Sequence, residues 1–288
     1  IKMGLNYDGR FEEPSILPVR WPIGIVNGSQ GIAVGYASSI ISHNPSEIMD
    51  ACIKLVENPD MTLKELMKIV KGPDFPTGGV LLGLEGVKEY FETGKGSFSV
   101  RGQYRIEPGA RGTHVITFFE APYQVSGEQI IESIQKNKKE RDRFKEVSYA
   151  KELSDKKNGF MFSIGVKGGA NPEVVLRDLF KYTPLEQTFS ANTTVLKDGV
   201  PTVTPIKTLL EEFVQFRCSC ITNKANNKLK SLDKAIERLD GIIKVLVDID
   251  KAISIIRKSD TPEIANEDLQ KSFKINEEQS SFIMSMPL

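Results

Sequence analysis

Two histidines, three cysteines and one GKGS run are the features of this 288-residue chain closest to a conventional catalytic kit. Each falls short. A histidine-based zinc site or a Ser-His-Asp set needs His43 or His114 beside further ligands or a nucleophile, and neither GxSxG nor HExxH occurs. GKGS at 94–97 lacks the first glycine of a phosphate-binding P-loop and runs into a strand-like pattern. Cys218 and Cys220 stand two apart on a predicted helix and so face different directions; with Cys52 they make neither a disulfide framework nor a metal-ligand spacing, which fits a reducing, intracellular setting. Another kind of chemistry is legible. VNGSQGIAVGYASSIISHNP (26–45) interleaves glycines with small hydroxyl and amide residues, so backbone is expected to pass close to a ligand, with the apolar pair Ile40-Ile41 beside it.

Charge bounds what that ligand could be. Lys and Arg number 38 and so do Asp and Glu, and a net charge of zero argues against general affinity for nucleic acid, which rests on counterion release by basic side chains. Distribution matters more than the total. Between Gly94 and Arg111 stand Lys95, Arg101, Arg105 and Arg111 against Glu107 alone, and 136–145 (KNKKERDRFK) is again mostly basic. The acids gather at 207–212 and 259–278. A basic strand region and a glycine-rich segment are therefore the candidate contact surfaces.

The elements that must position them follow from local signals. Prolines and turns fill 1–24. Asn44-Pro45 before SEIMDACIKLVEN is a helix start with an N-cap and proline at the first helical position, and Thr62 opens a second short helix. GPDFPTGG at 72–79 is a connector. The period then changes to two: GSFSVRGQYRIE, HVITFFEAPY and GFMFSIGVKG read as strands, the last with Phe160, Phe162, Ile164 and Val166 on one face. SGEQIIESIQKN and NPEVVLRDLFKYT read as helices, giving a mixed α+β block over roughly 46–205. From Pro205 on, Ala225, Leu229, Leu232, Ile236, Leu239, Ile243 and Leu246 recur at 4-3-4-3 spacing, with Ile253 and Ile256 continuing. That is a coiled-coil seam. A helix of about 50 residues at about 1.5 Å each would reach about 75 Å, an arm rather than a core helix. No run of 18 apolar residues suggests a membrane span.

NYDG, EEPSILPVRWP, VNGSQGIAVGYASSI, KGPDFPTGG, GKGSFSVRGQYRIE, EAPYQV and EEQSSFIMSMPL occur in this order along essentially the whole chain. In them the sequence resembles the breakage-reunion (A-type) subunit of type IIA DNA topoisomerases, as in bacterial gyrase and topoisomerase IV. The resemblance implies an α+β fold: the end of a winged-helix, DNA-gate region over 1–24, a tower domain over 25–205, and over 206–288 the start of a coiled-coil arm leading to a lower dimer gate. It implies an internal stretch of a longer enzyme, an ATP-dependent type II topoisomerase whose nucleophilic tyrosine lies upstream of NYDG; Tyr7 is in the wrong motif to be it. The chain alone is therefore expected to be inactive.

In that family the glycine-rich loop packs on the cleaved duplex and an isoleucine inserts between base pairs to bend it. Motif alignment assigns that role to Ile40, with Ile41 as the other choice and a core role for either left open, since Ile41-Ser42 replace the family's usual Pro-Pro. Asn27, Gly28, Ser29, His43, Lys95, Arg101 and Arg105 are the further expected DNA contacts. No cofactor is expected on this chain; Mg²⁺ and ATP are expected on the partner. The implied partners are duplex DNA, an ATPase and metal-binding B-type subunit, and a second A-type subunit in a heterotetramer, with no membrane, in a cytoplasmic, nucleoid-associated location. A non-enzymatic DNA-bending protein dimerising through the arm is the alternative, and a coiled-coil scaffold without DNA affinity a third reading.

Overall fold

The computed structural model describes residues 2–157, 159–197 and 199–286. The chain opens with an antiparallel ribbon of β1 (Met3–Leu5) and β2 (Glu12–Pro14), with Tyr7 exposed at its turn. One helical turn, α1 (Ile23–Val26), leads into the hairpin β3 (Ser29–Ala33) and β4 (Tyr36–Ile40). Next come α2 (Pro45–Glu57), α3 (Leu63–Ile69), β5 (Val80–Leu82), α4 (Glu85–Thr93), β6 (Lys95–Arg101), β7 (Tyr104–Pro108) and β8 (His114–Phe118). Then follow α5 (Gly127–Arg141), β9 (Val147–Glu152), β10 (Phe162–Val166), α6 (Pro172–Tyr182), β11 (Glu186–Asn192), β12 (Thr194–Lys197) and β13 (Val200–Val203). Four helices close the chain: α7 (Ile206–Leu246), α8 (Ile249–Lys258), α9 (Pro262–Phe273) and α10 (Glu277–Met284). The fold is α+β with antiparallel sheets and one long helix.

Caps explain most helix starts. The Asn44 side chain accepts from the backbone N–H groups of Ser46 and Glu47, and Asn171 accepts from Glu173, each followed by proline at the first helical position. Thr62 with Glu65 and Ser126 with Gln129 close reciprocal capping boxes. Each such cap is worth about 1 kcal/mol.

The chain divides into two compact units, Val19–Phe216 and Ile1–Pro18 with Arg217–Leu288. The tower block expected over 25–205 lies inside the first. That unit holds a five-stranded sheet in the order β3-β4-β11-β6-β5 and a four-stranded one in the order β7-β8-β10-β9. Ile48, Leu66, Tyr90, Phe91, Phe98 and Leu210 centre one core; Ile116, Phe118, Ile130, Phe162, Ile164 and Leu179 centre another. Burying a side chain of this size stabilises by about 1.5–3 kcal/mol. All five residues of β10 are buried, Ser163 and Gly165 included, because the strand is central to its sheet. In the other unit Val245, Ala252, Leu269 and Ile275 form a small core, and Gln279 donates through Nε2 to the Glu237 carbonyl at 2.7 Å.

Two expectations need correction. The long helix has 41 residues, not about 50. Asp248, outside helical geometry at φ −145°, accepts from the Lys251 N–H and starts α8 afresh, so Ile256 packs into the local core instead of extending the stripe. The glycine-rich segment is not an open loop but a helical turn and a β-hairpin.

Candidate nucleic-acid interface

The hairpin is built by a short turn. Ala33 pairs with Tyr36 across Val34-Gly35, and Gly35 adopts φ +81°, which a side chain would disfavour. At its root Gly28 has φ +72°, and a Cβ there would lie 2.7 Å from the Ile40 carbonyl oxygen, so the two strands can close only over glycine. Apolar side chains sit at the tip with nothing to cover them: Ile32 is 95% exposed and Val34 102%. Apolar residues bared this fully on one small projection mark a surface for a partner.

Register fixes what accompanies them. Ile32 pairs with Ala37 and Gln30 with Ser39; Ser39 pairs with Asn192, and Asn192 with Lys95. Directly opposed residues share a face of the sheet. Gln30, Ser39, Asn192 and Lys95 therefore form a polar row over four strands on the same face as Ile32. Arg101 shares the face of Lys95, because it stands an even number of positions further along β6. Phe98 and its partner Phe189 point the other way, into the core.

The predicted contacts separate on this frame. Asn27 and Ser29 flank the root glycine Gly28, with Ser29 exposed, and Lys95 is exposed at the start of β6. Ile40 is half-buried; it faces the core side of β4 and lines a cavity of about 240 Å³ with Phe75, Tyr123 and Phe189. Ile41 is 4% exposed and belongs to the core. The bare Ile-Ile pair read from the sequence is thus the buried end of the hairpin.

His43 is also internal, at 2% exposure. Its Nδ1 lies 3.2 Å from the Ile25 carbonyl oxygen and its ring packs on Tyr90 and Phe91. Burial lowers its pKa to about 4, against the smaller raising effects of backbone hydrogen bonds and Asp74. A neutral buried imidazole does not reach a phosphate, so His43 is corrected to a core residue. Arg101 is committed elsewhere: Nε donates to Glu186 at 2.5 Å, and the guanidinium stacks over Phe180 at 4.7 Å. Arg105 is on the other sheet, on β7, 3.5 Å from Glu107. The structure brings Asn27, Gly28, Ser29 and Ile40 together around one cavity, sets Lys95 at the far end of the row on the opposite face, and leaves Arg105 on the other sheet.

The residues that sequence reasoning misses are Ile32, Val34 and Asn192. Ile32 and Val34 flank Ala33 within the glycine-rich segment, but nothing in their types distinguishes an exposed isoleucine from a buried one.

The sequence profile of the A-type subunits of DNA gyrase and topoisomerase IV matches residues 1–288. The gyrase A protein of Staphylococcus epidermidis is 38% identical over 286 residues, covering 98% of this chain and 32% of that protein. That of Kosmotoga olearia is 38% identical over 289 residues, 100% of this chain and 35% of its own length. That of Staphylococcus aureus is 37% identical, over 98% and 32%. The chain spans about a third of the length of these relatives.

Proposed function

The chain belongs to the family of DNA gyrase and topoisomerase IV A-type subunits, and from that premise we propose that it is the duplex-holding and duplex-bending part of a type IIA topoisomerase's DNA gate. The observation that carries this reading is the glycine-rooted β3–β4 hairpin, which holds Ile40 half-buried beside a cavity lined by Asn27, Gly28 and Ser29 and bares Ile32 and Val34 at its tip. An apolar wedge unstacks a base step at a cost of a few kcal/mol, offset by the contact that the bent duplex then makes with protein. Motif alignment assigns this role to Ile40, half-buried beside the cavity at the hairpin root, with Ile32 at the tip as the more exposed alternative. Asn27, Ser29 and Gln30 suit phosphate oxygens, which position the duplex without reading its sequence, and Lys95 adds the charge.

The whole enzyme in this proposal cleaves one duplex with a tyrosine outside this chain and passes another through it, driven by ATP. Mg²⁺ and ATP belong to the B-type partner. Among the described residues no three His, Cys, Asp or Glu side chains gather where a metal ion could bind. Two A-type and two B-type chains assemble, and the exposed stripe of α7 fits a coiled-coil arm. No helix among the described residues is long and apolar enough to cross a membrane.

A fluorescence-transfer bend assay on the full-length A-type protein with its partner tests the reading. Ile40→Ala is expected to lower the bent fraction at saturating DNA while costing about 1–2 kcal/mol of stability, as truncation of a half-buried isoleucine does. An unchanged bend would contradict it.

A further inference from the structure

We propose that Ser42 is a positioning residue for the inserting Ile40: through Asp74 it fixes Phe75 as the floor on which that isoleucine stands. The proposal rests on the reading of Ile40 as the DNA wedge. Ile40 ends β4, and Ser42 follows two residues on, 8% exposed. Reciprocal hydrogen bonds clasp it to the connector 72–79. The Ser42 hydroxyl donates to the Asp74 carbonyl oxygen at 2.8 Å, and the Asp74 N–H donates to the Ser42 carbonyl oxygen at 2.9 Å. His43 and Pro73 pair as an isolated antiparallel bridge, and Asn44 Nδ2 donates to the Asp74 carboxylate at 3.0 Å. The far end of the connector is held as well: the Gly79 N–H donates to Glu120 Oε2 at 2.6 Å.

What the clasp holds in place is an aromatic ring. Phe75, next to Asp74, is buried, its ring centroid 4.8 Å from that of Phe189 and 5.7 Å from that of Tyr123. These three rings and Ile40 line the cavity of about 240 Å³ at the hairpin root. A half-buried isoleucine beside such a cavity has two places to go: outward into a base step, or inward toward the rings. The firmer the floor, the less the inward place competes. Contact energy reaches the base step in full only when the side chain is already held in the inserting geometry, because ordering it on binding subtracts from that energy. The Asp74 N–H alone would leave the connector a pivot at this point, and the Ser42 hydroxyl removes it.

The expected behaviour separates positioning from general stability. Losing one hydrogen bond shifts such a balance by about two- to tenfold. In Ser42→Ala the Asp74 amide should exchange faster by that factor. In the assembled full-length enzyme the ratio of bent to straight bound duplex should fall by the same factor. Phe75→Leu keeps the clasp but lowers the floor, and should reduce the bend likewise. Adding Ser42→Ala to Ile40→Ala should cost no further bending, since both act through one side chain. Ile164→Val is the control: it loosens the other core without touching this cavity, and should bend duplex as the parent does. Where Ser42→Ala folds too poorly to assay, Phe75→Leu decides. A parent-like bend in either variant, while Ile40→Ala still lowers it, would overturn the proposal. So would an equal loss of bend in Ile164→Val, the sign of general loosening. A parent-like bend in Ile40→Ala would instead remove the wedge reading, and the positioning role with it.

Discussion

His43 shows how a residue's surroundings reverse the reading of its type. As an imidazole near a glycine-rich segment it invites a phosphate; held between Tyr90, Phe91 and the Ile25 carbonyl it is a neutral core group. Its depressed pKa fixes the sign of a stability effect. Between its ordinary value of 6.5 and about 4, the unfolded chain binds the proton that the folded chain refuses. Stability contributed by the neutral ring is fully present above pH 6.5 and lost as pH falls toward 4, by about 3 kcal/mol in all. Denaturant midpoints across pH 4–7 should therefore climb with pH, and His43→Leu should flatten that rise; an equal slope in the variant would show that other groups cause it. Exposure of an individual isoleucine is not legible in the same way. Ile32, Ile40 and Ile41 lie within ten residues, and only strand register shows that Ile40 faces the core while Ile32 does not.

Among elements, the helices announce themselves because their signals are local. Asn44-Pro45, Thr62, Ser126 and Asn171-Pro172 each place a side-chain acceptor over free N–H groups within three residues. The element α4 gives no such signal: Leu84 precedes it without a capping side chain, and Gly86 stands in its first turn. That glycine is there for packing across distance. A Cβ on Gly86 would sit 1.8 Å from the Ser97 carbonyl oxygen of β6. Gly86→Ala should push the helix off the sheet and destabilise by about 1–3 kcal/mol or more, read as a fall in denaturant midpoint; a change below about 0.5 kcal/mol would mean that α4 moves freely, as a surface substitution does. The β3–β4 hairpin escapes notice because glycine and serine erase the alternation that marks a strand. The heptad stripe is legible, and Leu229, Leu232, Ile236, Leu239 and Ile243 are exposed on α7. If another helix covers them in the full-length protein, Ile236→Lys should cost under about 0.5 kcal/mol in this chain but about 1.5–3 kcal/mol in the full-length protein, where the side chain is buried. Equal melting shifts in the two would argue against the coiled coil.

At the scale of the molecule, zero net charge leaves duplex binding to few cations, so salt dependence should identify them. Arg101 is already neutralised by Glu186, whereas Lys95 ends the polar row on the hairpin face. Lys95→Ala should make the slope of log K against log salt shallower by about 0.9, one phosphate contact, and Arg101→Gln should change it by less than half of that. Equal effects would return Arg101 to the interface. The central claim concerns the wedge itself. A duplex carrying 2-aminopurine at the bend centre brightens when its neighbour unstacks, so it reports insertion directly in the assembled full-length enzyme. With the parent protein the signal should rise on binding. Ile40→Ala should abolish the rise while losing about 1–2 kcal/mol of stability, as a half-buried isoleucine does, whereas Ile32→Ala should keep the rise and leave melting nearly unchanged. A rise that survives Ile40→Ala and vanishes in Ile32→Ala would contradict the account and move the wedge to the hairpin tip.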